Sequence, residues 1–375
     1  MASSQYYQNM HDVRLKPRLL KSIIRDRLPD EKHPFRAHSD LSYIVSLLET
    51  HDLLSESFPD EAADLRLVES WKSTVDEWVE RLLSLVSSKM PNPSNQPPSD
   101  ASFVKVASCA SLSDLFRRLA HFPNAKKDGT SQAGKLIQPV LKLLSEDGSE
   151  DVWEATVDLL CTLLTFFPSS VHRHYDSVSS GLAESIIVSK IMSGKCTANI
   201  SEVSGVGSLM SLTTTSKFAQ SLALLPKAKG DEDSWSFMMQ RILISINTDL
   251  KDAFQGLEEG KKSDEIHRLL VPPGKDPPPL LGGQATKWIE QLLMSRVSTL
   301  IRCCCMMLTN HYPVQVTVPV LPLLVLVRRI LDVDGSPSLE QFTTFTQQEF
   351  ICSELPRLHL CCLDLLLAII ERRDR

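Results

Sequence analysis

GKLIQPVLKLLSEDGSEDVWEATVDLLCTLLTFFP, residues 134–168, decides the fold. Leucine and valine recur at steps of three and four on both sides of an acidic break, the spacing of one apolar face on each of two helices. Pro139 falls in the first helix, where a proline bends the chain by removing one hydrogen bond. Asp147 and Gly148 interrupt the pattern, and Ser149 is placed to cap the second helix. Val152, Ala155, Val157, Leu159, Leu160, Leu163 and Leu164 are expected to face inward. The sequence therefore predicts an antiparallel helical pair of about 40 residues with a proline in its first arm, the grammar of a HEAT repeat. VPVLPLLVLVRRILDVDGSPSLEQF (318–342) repeats it, with Pro322 in the helix and Asp334-Gly335 at the turn. Neither pair can bury its apolar face alone, so stacking into an all-α, HEAT/armadillo-like helical-repeat solenoid is the expected solution.

The same spacing runs through ESWKSTVDEWVERLLSLVSS (69–88), where Trp71, Val75, Trp78, Val79, Leu82, Leu83 and Val86 form one stripe. It recurs in residues 103–119, 234–254 and 286–308, and a convincing parallel-strand run is absent. VQVTVPV (314–320) alternates as an extended segment would, then flows into a leucine-rich helix. Composition agrees: of 375 residues, 42% are apolar and 6% aromatic, and only 14 are glycine. That balance suits helices better than a sandwich or barrel. Polar, proline-rich stretches mark a linker at 89–100 and loops at 199–216 and 271–283.

Several function classes are disfavoured. A net charge of −6 argues against general binding of polyanions. Of the nine cysteines, Cys109, Cys161, Cys361 and Cys362 lie in leucine-rich patterns and Cys303, Cys304 and Cys305 run consecutively, which predicts mostly buried, reduced thiols without a zinc spacing. The N-terminus lacks a signal-peptide core, and 313–327 is too short for a membrane span and carries three prolines. A soluble chain of the nucleus or cytosol is expected, in which the glycosylation pattern Asn199-Ile200-Ser201 has no consequence.

Motifs for chemistry are weak. GTSQAGKL (129–136) nearly fits a phosphate loop through Gly129, Gly134 and Lys135, but Leu136 replaces the hydroxyl and a helix, not a strand, precedes it. Thr130 or Ser131 is expected to cap the next helix. His172 and His174 make an H-x-H pair without further ligands, and no nucleophile carries a triad signature. No catalytic, cofactor-binding or metal residue is assigned, and the chain is read as a non-enzyme. In DVRLKPRLLKSIIRDRLPDEKH, Arg14, Lys16, Arg18, Lys21, Arg25, Arg27 and Lys32 offer a weak charge contact to RNA or an acidic partner. The competing reading, which the sequence favours, is a solvated face with Leu15, Leu19, Leu20, Ile23 and Ile24 packed inward. Two L-x-x-L-L strings, Leu160 to Leu164 and Leu363 to Leu367, are both read as core packing rather than groove-binding helices.

Extended passages carry a family resemblance: DVRLKPRLLKSIIRDRLPDEKHPFR; FVKVASCASLSDLFRRLAHFPNAKKDGTSQAGKLIQPVLKLL; and LALLPKAKGDEDSWSFMMQRILISINTDL followed by RLLVPPGKDPPPLLGG. From residue 9 to 375 the chain resembles the N-terminal helical-repeat region of the Rix-type pre-rRNA-processing proteins, most like the plant proline-, glutamic-acid- and leucine-rich forms. The resemblance implies a nuclear scaffold, nucleolar and nucleoplasmic, for internal-spacer processing and maturation of the large (60S) ribosomal subunit. It implies a complex with a WD40 subunit and another helical-repeat subunit, contact with the AAA ATPase midasin on pre-60S particles, and no cofactor. Against the family pattern, a helical pair is missing between Met90 and Ser99, and residues 199–214 are inserted between MSGKC and KFAQSLALLP. The C-terminal repeats and acidic tail are also absent, so a truncated or alternatively spliced form is expected. A helical-repeat adaptor in another nuclear pathway, such as nuclear transport or transcription co-regulation, fits the same architecture.

Overall fold

The structure, a computed structural model, describes residues 16–27, 43–44, 46, 65–87, 99–120, 123–146, 150–183, 212–254, 290–333 and 345–373. Every regular element among them is helical, and no strand occurs among the described residues. They belong to two compact units, Met1–Arg173 and His174–Arg375.

In the first unit the helices are α1 (Lys16–Asp26), α2 (Leu65–Ser87), α3 (Ser99–Leu119), α4 (Pro123–Glu146), α5 (Glu150–Phe166) and the short α6 (Pro168–Val171). The 134–168 stretch does fold as two helices, α4 and α5, which pack on each other. Ala155 is only half-buried, whereas the other expected inward residues of α5 are buried together with Trp153, Thr156, Cys161 and Thr162. The reason is α5's position: it lies against α3, α4 and α6, so its burial extends well beyond one stripe. Each fully buried leucine there contributes about 1.5–3 kcal/mol. Phe116 of α3 meets Phe167 edge to face at a centroid distance of 5.4 Å, closing the far end of this core. In α2, Val75, Trp78, Val79, Leu82 and Val86 are buried as expected, Leu83 is half-buried, and Leu85 joins the core instead.

The second unit holds α7 (residues 175–183), α8 (Leu212–Leu224), a 3-10 turn (Leu225–Ala228), α9 (Glu232–Ala253), α10 (Glu290–Thr309), α11 (Val320–Leu331) and α12 (Phe345–Arg373). Its centre is α10, which packs against α8, α9 and α12, while α11 lies on α12. Asp231 caps α9 by accepting a 2.6 Å hydrogen bond from the Ser234 amide, and Glu232 and Asp233 complement the helix dipole behind it. Residues 311–319 are non-helical with alternating exposure, the extended reading of the 314–320 stretch, and the helix begins only at Val320. Glu232 fastens this segment by accepting from the Thr317 amide at 3.0 Å and its hydroxyl at 2.6 Å.

Three boundaries shift from expectation. Ser99 and Asp100, assigned to the linker, already belong to α3, and residues 212–216, assigned to a loop, belong to α8. Pro322 sits in the first turn of α11, where a missing amide costs nothing, so it starts that helix rather than bending it. The internal prolines are Pro139 in α4 and Pro356 in α12, and both helices continue past them. The Ser149 cap, both Asp-Gly turns, residues 89–98 and the loop 271–283 lie outside the described residues.

Candidate functional site

The phosphate-loop look-alike ends inside a helix. Residues 129–136 lie within α4, whose backbone amides are committed to the helix rather than to a cradle. Thr130 caps nothing: α4 begins seven residues earlier at Pro123, and the Thr130 hydroxyl donates to the Lys126 carbonyl at 2.8 Å. Gly129 has a packing reason instead, because a Cβ there would stand 2.9 Å from Cε1 of Phe167. Leu136 is fully buried.

The same stretch nevertheless builds one wall of a surface cleft of about 220 Å3 between α2 and α4. From α2 come Asp76, Val79, Glu80 and Leu83, a set at the i, i+3, i+4, i+7 spacing of one helix face. From α4 come Asp128, Ser131, Gln132 and Lys135, again one face. The Gln132 amide Nε2 donates to the Asp76 carboxylate. Lys72 pairs with Asp128 at 2.9 Å and Lys135 stands 3.7 Å from Glu80. Burial raises the Asp76 carboxyl above the usual range, and the nearby charges of Asp128 and Glu80 push the same way against Lys135 and Lys72. Asp76, Glu80, Asp128 and Gln132 were not singled out from the sequence, and Val79, Leu83, Ser131 and Lys135 were noted for other reasons; the one signal for the cleft was the matched helical spacing of the two sets.

On α1, Leu20, Ile23 and Ile24 are buried and Leu19 is half-buried, while Arg18, Lys21, Arg25 and Arg27 are exposed. Arg25 grips Asp26 through hydrogen bonds of 2.7 and 3.1 Å, and Arg27 lies over the Tyr43 ring. Part of the basic face is thereby neutralised within the unit. Arg14, Leu15 and Lys32 lie outside the described residues.

In the second unit the L-x-x-L-L string at Leu363 is not core. Leu363 and Leu367 are 52% and 55% exposed, and with Leu360 and Ile370 they form an apolar stripe along α12. Helix α11 likewise exposes Leu321 and Leu324. The core place is taken by Leu358, Cys362, Leu365 and Ala368, a stripe offset around the helix. Asp249 and Arg296 form a buried two-bond ion pair at 3.0 and 2.8 Å, and Arg329 donates to Asn247 beside it. Burial holds the Asp249 carboxyl up at about 7 against the pull of Arg296. Both arginines and their partners are almost wholly enclosed, so this network joins α9 to α10 and α11 and offers nothing to a substrate.

His172 and His174 occupy a 3-10 turn, and among the described residues no group of three His, Cys, Asp or Glu is placed to hold a metal. The described cysteines are all free thiols, with Cys109, Cys161, Cys303, Cys304 and Cys362 buried. No helix among the described residues is long and apolar enough to cross a membrane.

Residues 78–193, just under a third of the chain, match the family model RIX1, described as rRNA processing/ribosome biogenesis. The match supports the Rix-type family assignment, and it spans most of the cleft's lining and the whole of α3, α4 and α5. No curated protein matches the chain.

Proposed function

We propose, from the RIX1 assignment of residues 78–193, that the chain is a non-catalytic scaffold supporting internal-spacer processing of pre-rRNA and maturation of the 60S subunit. The family implies the coarser role, in rRNA processing or ribosome biogenesis, and a nuclear or nucleolar place for it. The finer reading adds a helical-repeat architecture whose work is done by its surfaces. Successive helices that bury broad apolar faces against their neighbours support it, as does the solvent-facing apolar stripe on α12. In this reading the partners are the WD40 and helical-repeat subunits of a Rix-type complex, with midasin met on the pre-60S particle. The observation that carries the proposal is the family match.

The test is a tagged full chain recovered from nuclear extract, with mass spectrometry of bound proteins and probing of bound RNA for spacer precursors. Recovery of the WD40 subunit, midasin and spacer-containing RNA is expected. Transport receptors with cargo, or transcription co-regulators without pre-60S components, would instead establish the adaptor reading.

A further inference from the structure

Helix α12 carries two apolar stripes, and the fold uses one of them. Leu355, Leu358, Cys362, Leu365 and Ala368 are buried where α12 packs on α10 and α11. Leu360, Leu363, Leu367 and Ile370 are each more than half exposed. Their steps of three, four and three residues are those of the a and d positions of a heptad repeat. That is the narrow seam of a coiled coil, not the broader face that a helix turns into a globular core. A single exposed leucine is ordinary, but an unbroken row over about three turns is a contiguous apolar patch of the kind that marks an interaction surface.

What borders the seam selects its occupant. With Leu360 and Leu367 at a and Leu363 and Ile370 at d, the e positions are Asp364 and Glu371, both exposed. They stand about 10 Å apart along one flank. The g positions on the other flank, His359 and Leu366, are half-buried, and His359 Nε2 lies 3.1 Å from the Ile330 carbonyl of α11. Among the described side chains of α12, no exposed one is basic: Arg357 and Arg372 are half-buried, and Arg357 stands 3.7 Å from Glu354. The open edge of the seam is therefore negative. Two carboxylates there disfavour an RNA backbone or an anionic membrane surface. A second copy of this chain is also a poor match, because charges at e and g decide which helices pair. Paired antiparallel about the centre of the seam, the two copies would set Asp364 against Asp364; paired in parallel, Leu366 of one would stand beside Glu371 of the other.

We infer that the α12 seam is a docking site for an amphipathic helix of a partner polypeptide, one with a matching apolar seam and with lysine or arginine on the flank that meets Asp364 and Glu371. The inference stands apart from the scaffold reading, since an adaptor would use the same face. A chain that takes up such a helix yet recovers no pre-60S component would keep the inference and lose the scaffold reading.

The experiment titrates the full chain against three fluorescent peptides, each three heptads long with glutamine and alanine at b, c and f. Two carry leucine at a and d, one with lysine and the other with glutamate at every e and g, so that neither pairs with itself. The third has the composition of the lysine peptide in an order that breaks the heptad. Anisotropy is expected to show the lysine peptide binding about tenfold or more tightly than the glutamate peptide, and the scrambled peptide not binding. Leu363→Asp is expected to abolish binding with the melting temperature unchanged. The double variant Asp364→Lys with Glu371→Lys, altered only at exposed positions, is expected to reverse the preference in favour of the glutamate peptide. Equal affinity for the lysine and glutamate peptides overturns the proposal, as does a preference that survives the double reversal. Binding indifferent to Leu363→Asp, or no binding of any peptide, overturns it too. Sedimentation of the chain alone tests the other occupant: a dimer that Leu363→Asp returns to monomer would assign the seam to a second copy and overturn the partner-helix reading.

Discussion

Leu160–Leu164 and Leu363–Leu367 spell the same L-x-x-L-L pattern, and the structure treats them in opposite ways. In α5 all three leucines are fully buried, and the intervening Cys161 and Thr162 are buried too. In α12 the first and last leucines are more than half exposed, and Leu365, in the middle of the string, takes the core place. The difference is one of neighbours. Helix α5 is enclosed by α3, α4 and α6, whereas α12 rests on α10 and α11 and leaves a stripe uncovered. A leucine string thus fixes a helix and its period but not how many sides of that helix are occupied.

The sharpest way to break the comparison is to place a charge in each string. Leu160→Asp puts an unpaired carboxylate into a closed core, a change in the class that exceeds about 4 kcal/mol and is expected to unfold the first unit. Leu363→Asp leaves its carboxylate in water and is expected to change stability by no more than about 0.5 kcal/mol. Circular dichroism through a urea titration reads both. Equal losses would mean that the α12 stripe is covered in solution.

Truncation asks the same question more gently. Leu163→Ala is expected to cost about 2–5 kcal/mol, because the removed atoms leave a cavity among well-packed neighbours. Leu367→Ala is expected to cost about 0.5 kcal/mol or less. A third contrast concerns the polar interior of the first string. The Thr162 hydroxyl donates to the Asp158 carbonyl at 3.0 Å, so Ser113 of α3 is the donor in their 2.6 Å contact. Thr162→Val strands that buried serine and is expected to cost about 1–3 kcal/mol. Adding Ser113→Ala should recover much of the loss. Additive losses in the double variant would show that the hydroxyl pair is not what couples α3 to α5.

These contrasts show what was legible in the sequence. Helix existence followed from periodicity, and the identity of the inner face held wherever a helix has one covered side, as in α1 and most of α2. It was too narrow at α5, where Trp153, Thr156, Cys161 and Thr162 join the core because the helix is packed on several sides, and it failed at Leu363 and Leu367, because α12 is covered on fewer. Proline was read as a bend at Pro322, yet position within the helix decides its effect, and that position depends on where the extended segment 311–319 ends. The cleft was illegible for a different reason. Asp76 and Gln132 are 56 residues apart, and only the crossing of α2 and α4 brings them together. Gly129 drew notice for phosphate chemistry; its actual constraint, the Phe167 ring, lies 38 positions later in the chain.

Thiol reactivity gives the smallest effect and the finest resolution. Burial pushes the Cys362 thiol, beside the second string, up to about 12 and raises the half-buried Cys361 as well. An unperturbed thiol ionises at about 8.5, so at pH 8 Cys362 is almost wholly neutral in the folded chain. Alkylation followed by mass spectrometry should therefore find Cys361 reacting before Cys362, with the Cys362 rate still climbing about tenfold per pH unit past pH 9. Cys161, enclosed in the first string, should stay unmodified until the first unit opens. The sign for stability follows from the same shift. Above about pH 8.5 the unfolded chain releases thiol protons that the folded chain retains, so stability is lost as pH rises from there toward about 12. A labelling rate at Cys362 that levels off near pH 9 would mean that α12 is open to water on its inner side, and the contrast with α5 would then be one of stability rather than of packing.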